Sequence, residues 1–230
     1  MEKLALVITS HRHADHYGGM AQILSRFPVD LYVANLDDCP NRTTDDTIRE
    51  ILKKRGIKAQ GPASDPITVD GVTFVVLPPD PVNDPCPNDE NDNSLVVRME
   101  FGEFSMLFTG DAGREEREFL MENHADLLDV DVLKASHHGS FNGANGVNGK
   151  SWMDFVDPDD VVISVLAASP FAHPHNSAMD AYEKAVGVAN IHCTSRHGTI
   201  RIFGIYKDAP AGTPITSCRW QPQDLPPVQF

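Results

Sequence analysis

Leu4-Ala5-Leu6-Val7-Ile8-Thr9-Ser10-His11-Arg12-His13-Ala14-Asp15-His16-Tyr17-Gly18-Gly19 is an apolar run that empties into a cluster of metal-ligand side chains. Leu4 to Thr9 is β-rich and scarcely alternates, the pattern of a buried strand. Beyond it, alternate residues of an extended chain share a side, so His11 and His13 can chelate one ion. Asp15 and His16, turning into Gly18 and Gly19, can reach a second ion nearby. Imidazole nitrogen and carboxylate oxygen suit Zn²⁺, Mn²⁺ or Fe²⁺. Four such groups within six residues, between a buried strand and a glycine pair, argue against a solvated histidine-rich turn.

Three further segments carry groups of the same kind. Thr109-Gly110-Asp111 ends a β-rich run, which brings the Asp111 carboxylate to a sheet rim; one carboxylate can bridge two cations about 3.5–4 Å apart. Ala135-Ser136-His137-His138-Gly139-Ser140 also follows a strand, and offers a ligand together with a proton donor, or else a hydrogen-bonded loop. His138 sits directly before Gly139, whereas His137 points to the opposite side if strand geometry persists. His173-Pro174-His175-Asn176 leads into a helix that Asn176 or Ser177 can cap. His192 reads as structural and His124 as an exposed residue at a helix end. The candidate metal ligands are thus His11, His13, Asp15, His16, Asp111 and His138. The candidate catalytic groups are Asp15, His137, His173 and His175.

Around these segments the chain alternates strand and helix signals. Met20, Ile23, Leu24 and Phe27 fall at helical spacing. Leu31–Ala34 predicts a strand, and Thr44 to Arg55 a capped helix closing at Gly56. Asp70-Gly71 between β-rich runs predicts a hairpin over 67–77, followed by a polar, proline-rich loop over 78–93. A second hairpin runs over 95–109. Later signals predict a helix at 114–123, strands at 130–134 and 161–166, a helix at 177–185, and strands at 191–193 and 199–205. The order implies a mixed α/β sandwich. One domain over residues 1–206 and a proline-rich tail over 207–230 are expected. The apolar run before His11 is too short for a signal core, and no stretch is long enough to span a bilayer. A cytoplasmic protein with no membrane role is therefore expected. The four cysteines, Cys39, Cys86, Cys193 and Cys218, share no CxxC spacing and read as reduced thiols. A net charge of −14 argues against a protein that coats nucleic acid, though bound cations can reverse the sign locally.

Taken in order, HRHADHYGG, NDNSLVVRMEFGEFSMLFTGD, VDVLKASHHGS and HPHNS resemble the metallo-β-lactamase superfamily, and more narrowly its ComEC/Rec2-type branch. The resemblance covers about residues 4 to 203. It implies a four-layer αββα sandwich with a dinuclear site at one edge of the packed sheets. His11, His13, Asp15 and His16 match the ligands of the first motif, and Asp111 matches the bridging carboxylate. The resemblance departs in two places. Most of the superfamily carries a histidine ligand in the segment matching Asn91-Asp92-Asn93-Ser94; here there is none, leaving Asn93 or water to complete that shell. Members also carry two or more strands before the histidine motif, so an N-terminally truncated sandwich with an uncovered β edge is expected.

The function expected from this pattern is a metal-dependent phosphodiesterase or nuclease that uses two divalent ions, zinc or manganese, to activate water. The branch resemblance points to DNA, and the acidic composition to a small nucleotide. Ester, lactone or thioester hydrolysis on the same site is the enzymatic alternative, because fold does not determine substrate. A truncated, non-catalytic metal-binding remnant is the other. Self-association, or a partner over the open edge, is expected from the missing strands.

Overall fold

The computed structural model of the chain describes residues 3–36, 43–63, 65–81, 90–141 and 148–202. Among these residues ten strands form two sheets. β1 (Leu4–Ile8), β2 (Val29–Val33) and β3 (Lys58–Gln60) make a parallel three-stranded sheet in the order β1-β2-β3. The second sheet runs β10-β9-β8-β7-β6-β5-β4, from β10 (Ile191–Cys193), β9 (Asp160–Ile163) and β8 (Val132–Lys134) to β7 (Phe104–Phe108), β6 (Val96–Phe101), β5 (Val72–Leu77) and β4 (Ile67–Val69). Its hairpin half, β4 to β7, is antiparallel, while β7 to β10 are parallel. The first hairpin turns where expected: Asp70 (φ 49°) and Gly71 (φ 83°) both take the left-handed conformation that a tight two-residue hairpin requires.

Alternation within the strands sorts side chains into layers. Tyr32 and Ala34 face outward onto Leu24 of helix α2 (Met20–Arg26) and Ile48 and Leu52 of helix α3 (Thr43–Arg55). Leu6, Ile8, Leu31 and Val33 face inward onto Phe74, Val76, Leu95 and Val97 of the large sheet. The far side of that sheet is covered by α4 (Arg114–Asn123), α5 (Lys150–Val156) and α6 (Asn176–Val186), which bury Leu120, Trp152 and Tyr182 against Leu107, Leu133 and Ile163. The architecture is therefore the four-layer αββα sandwich. Burying Trp152, Tyr182 and their aliphatic neighbours contributes about 1.5–3 kcal/mol per large side chain before the entropy of ordering is counted.

Several local expectations need correction. α5 and the three-residue β3 carried no clear sequence signal. Residues 199–202 form no strand despite their β-branched content, and 203–205 lie outside the described residues, as do the 207–230 tail and Cys39, Cys86 and Cys218. Cys193 is a buried free thiol. His124, expected to be exposed, is half-buried with its ring against Phe119. Among the described residues β1 pairs with β2 alone, leaving one edge of the small sheet open. A cleft of about 380 Å³ lies beside that edge, lined by Leu6, Ile8, Phe74, Leu95, Val97 and Phe108. No helix among the described residues is long and apolar enough to cross a membrane.

Candidate metal centre

The site forms where four segments leave their strands at one rim of the sandwich. Past β1 the chain stays extended: Thr9 N–H still donates to the Val33 carbonyl, and the Ser10 carbonyl accepts from Leu95 N–H, both at 2.9 Å. His11 and His13 lie in this stretch, their ring centroids 4.8 Å apart. At His13 the backbone turns into one helical turn, α1 (Ala14–Tyr17), in which the N–H groups of His16 and Tyr17 bond back to the His13 carbonyl. That turn swings Asp15 and His16 round to the side His11 already faces.

Asp111 enters from β7 through Gly110. Gly110 has φ +52°, and a Cβ there would stand 2.8 Å from Ser10 Cβ and 2.9 Å from Ser94 Oγ, so only glycine lets these three segments close together. The Asp111 carboxylate is buried among four imidazole Nε2 atoms: His16 at 3.2 Å, His138 at 3.6 Å, and His11 and His137 at 3.8 Å. Asp15 Oδ2 lies 3.1 Å from His138 Nε2. Two clusters result, Asp15/His16/Asp111/His138 and His11/His13/Asp111, each with donor atoms within 4.8 Å of one another. Asp111 belongs to both, as a bridging carboxylate must.

His137 and His138 reach the same carboxylate by an unusual route. β8 stops at Lys134, and both histidines take left-handed backbone angles (φ 45° and 55°) in the turn Ser136–Gly139. Strand geometry does not persist, so His137 is not turned to the opposite side. Two consecutive non-glycine residues in this region cost about 1–3 kcal/mol each. The turn is clamped in compensation: Asn148, fully buried, accepts from Ser136 N–H and donates to the carbonyls of Ser136 and Ser140. Ser136 Oγ donates to the Ala112 carbonyl.

The donor set fits a cation. His138 Nδ1 donates to the Ser164 carbonyl at 2.8 Å, so in the neutral ring Nε2 holds a lone pair. That lone pair faces Asp15 Oδ2, Asp111 Oδ2 and His16 Nε2, the last at 3.2 Å. His11 Nε2 is buried without a hydrogen-bond partner and also faces Asp111. Converging lone pairs and carboxylate oxygens repel one another unless a positive ion lies between them. Burial, reinforced by the neighbouring His16, depresses the His11 pKa to about 3. Burial pushes Asp111 upward, but the hydrogen bond and charge of His16, with the charges of His11 and His138, hold its carboxyl well below the usual carboxylate range. Neutral imidazole and ionised carboxylate are the forms that ligate metal.

The late histidines divide. Gly139 (φ +82°) lets Pro174 pack where a Cβ would be only 2.6 Å from Pro174 Cβ, and this brings the His173 ring to 5.4 Å from His137 and 6.4 Å from His138. Burial, with His137, His175 and His138 nearby, lowers the His173 pKa to about 4. His175 is instead held between two backbone groups: its Nδ1 accepts from Phe141 N–H and its Nε2 donates to the Phe171 carbonyl. With both nitrogens engaged it stands behind His173 and braces its loop, at a ring distance of 4.8 Å. His192 bonds Asp160 at 2.7 Å, away from the site. Ser10, Ser94 and Asn148, which the motif reading passed over, also hold the site; a serine directly before the buried run from Leu95 was the one available signal.

The metallo-β-lactamase superfamily model matches residues 2–147. Among curated proteins, ComE operon protein 3 of Bacillus subtilis is 26% identical over 203 residues, covering 87% of this chain and 25% of that protein. Recombination protein 2 of Haemophilus influenzae is 28% identical over 190 residues, covering 81% and 21%. The chain thus spans about a quarter of the length of these relatives. Among solved structures, a variant of the β-hydroxylase CmlA aligns with a TM-score of 0.53 at 16% identity, covering 84% of this chain and 43% of that one. YhfI of Bacillus subtilis, a metallo-β-lactamase-fold protein, aligns at 0.47 and 14%, covering 83% and 75%. The first of these, at 16% identity, speaks to fold alone. With the sandwich, the rim site and a family match over well more than half of its length in agreement, the chain belongs to the metallo-β-lactamase superfamily.

Proposed function

We propose that this chain is a metal-dependent phosphodiesterase working through two divalent cations, zinc or manganese. The observation that carries the reading is Asp111 shared by two ligand clusters, the arrangement suited to in-line displacement at phosphorus. His11, His13 and Asp111 would hold one cation, and Asp15, His16, Asp111 and His138 the other. Bound there, divalent cations supply Lewis acidity and a water of lowered pKa. The Asp15 side chain is 60% exposed and faces the rim, where it can orient that water by accepting its hydrogen. With cations held there, the water oxygen would bond to phosphorus as the phosphoester P–O bond breaks, the water's proton would pass to Asp15, and the leaving oxygen would take a proton from solvent. His173, neutral near pH 7, offers an N–H to the leaving oxygen, and His137 stands 5.4 Å away on the same side.

The likeness to ComEC-type proteins favours DNA or a nucleotide as substrate. The net charge of −14 favours a short substrate over a long polyanion. The two converging ligand clusters, with His138 held in a clamped turn, argue against a non-catalytic remnant. The test is hydrolysis of bis(4-nitrophenyl) phosphate, a dinucleotide and single-stranded DNA with Mn²⁺ or Zn²⁺, beside a lactone and thioester panel. Phosphodiester turnover that Asp111→Ala abolishes is expected. Lactone or thioester turnover without phosphodiester cleavage would overturn the proposal.

A further inference from the structure

Ser94 is fully buried at the junction of three site segments, and its hydroxyl touches two candidate ligands at once. Its Oγ accepts the Asp111 backbone N–H at 3.0 Å and lies 3.3 Å from His11 Nδ1. On the other side of Gly110, Ser10 Oγ stands 3.1 Å from the same Nδ1 and 3.4 Å from His16 Nδ1. The hydroxyls therefore address the Nδ1 side of these rings, while His11 Nε2 faces Asp111.

We propose that Ser94 is a positioning residue that keeps the His11 proton on Nδ1, so that Nε2 presents its lone pair to a cation. The inference rests on the metal-centre reading. A serine oxygen has two lone pairs. With one taken by Asp111 N–H, the other receives His11 Nδ1–H, and a single oxygen joins the two ligands that belong to the same cluster. With Ser94 removed, the acceptor left to Nδ1–H is Ser10 Oγ at 3.1 Å, which is shared with His16 Nδ1, so part of the population moves the His11 proton to Nε2, where Asp111 Oδ2 lies 3.8 Å away. A proton there occupies the lone pair that a metal needs and must be displaced before one binds. Metal-ligating histidines are commonly steered through their far nitrogen by a carboxylate or carbonyl. Here the neutral hydroxyls of Ser94 and Ser10 take that place.

The test uses the whole chain with ¹⁵N-labelled histidine, stripped of metal, and a long-range ¹H–¹⁵N spectrum that separates protonated from bare ring nitrogens. A His11→Asn spectrum assigns the resonance. The wild type is expected to carry the His11 proton on Nδ1. Ser94→Ala should move a measurable fraction to Nε2 and weaken Zn²⁺ affinity about ten- to hundredfold, read by chelator competition. Ser94→Cys, similar in size but a weak acceptor, should shift the tautomer in the same direction, and thermal melting of both variants checks that they fold. A wild-type ring protonated on Nε2 would overturn the proposal. So would an unchanged Nδ1–H ring in the variants, even with weakened metal binding, since packing alone would then account for the loss. Failure of the wild type to bind Zn²⁺ would count against the metal centre, and the metal-free spectra would still decide the role of Ser94.

Discussion

Stripped of metal, this protein should lose stability in mild acid through His11. The ring is almost wholly buried and its pKa in the folded chain is depressed to about 3, against 6.5 in an exposed histidine. Between these values the unfolded chain binds a proton that the folded chain refuses, so acid favours unfolding. The stability tied to this group is fully present above pH 6.5 and is lost progressively as pH falls towards 3. At pH 5, one and a half units below 6.5, the loss is about 2 kcal/mol at about 1.36 kcal/mol per unit. His173, lowered to about 4, contributes in the same direction but less, because its ring is partly open to solvent. The assay is urea unfolding in chelator at pH 7.5, 6 and 5, for the wild type and His11→Asn. At a slope of about 2 kcal/mol per molar urea, the wild-type midpoint should fall about 1 M further than the variant's. Parallel loss in the two proteins would refute the assignment of a buried, neutral His11.

His138→Ala should lower occupancy of the cluster containing Asp15 and His16 together with activity, whereas His173→Ala should keep the metals and slow turnover by about 10²–10⁴-fold; metal analysis and rates on the same samples check both. Gly139→Ala, at φ +82° and 2.6 Å from Pro174 Cβ, should displace the His173 loop and cost at least about 1 kcal/mol of stability, with metal content retained; full activity would show that the loop tolerates the shift. If the open β1 edge and its apolar cleft are sticky, the isolated chain should self-associate in size-exclusion chromatography, and a monodisperse monomer with a high melting temperature would contradict this.

The parts of the site that lie within one segment were legible in the sequence. His11, His13, Asp15 and His16 share six residues, and alternation followed by a helical turn suffices to gather them. Asp111 could be placed because Gly110 and a β-rich run mark a strand end at the same rim. His137 and His138 were legible as a pair but not in direction, since the left-handed turn that points both inward depends on Asn148, ten residues further on. Ser94, marked only by its place before the buried run, could not be read as a positioning group for a similar reason: its approach to His11 depends on Gly110, and the three lie in segments flanking different strands. In the fold, strong periodicity located α2, α4 and both hairpins. β3 has three residues, and parallel pairing with β2 rather than any local pattern makes it a strand. Residues 199–202 show the converse, β-branched content with no strand at their side to pair with among the described residues.

The central claim is that Asp111 bridges two cations, and metal content tests it most directly. Elemental analysis should be run on the wild type, Asp111→Ala and His138→Ala after reconstitution with Zn²⁺ or Mn²⁺ and removal of excess. Two ions per wild-type chain are expected, with both lost in Asp111→Ala and one lost in His138→Ala. A wild type that retains no metal, or an Asp111→Ala chain that still holds two ions, would contradict it.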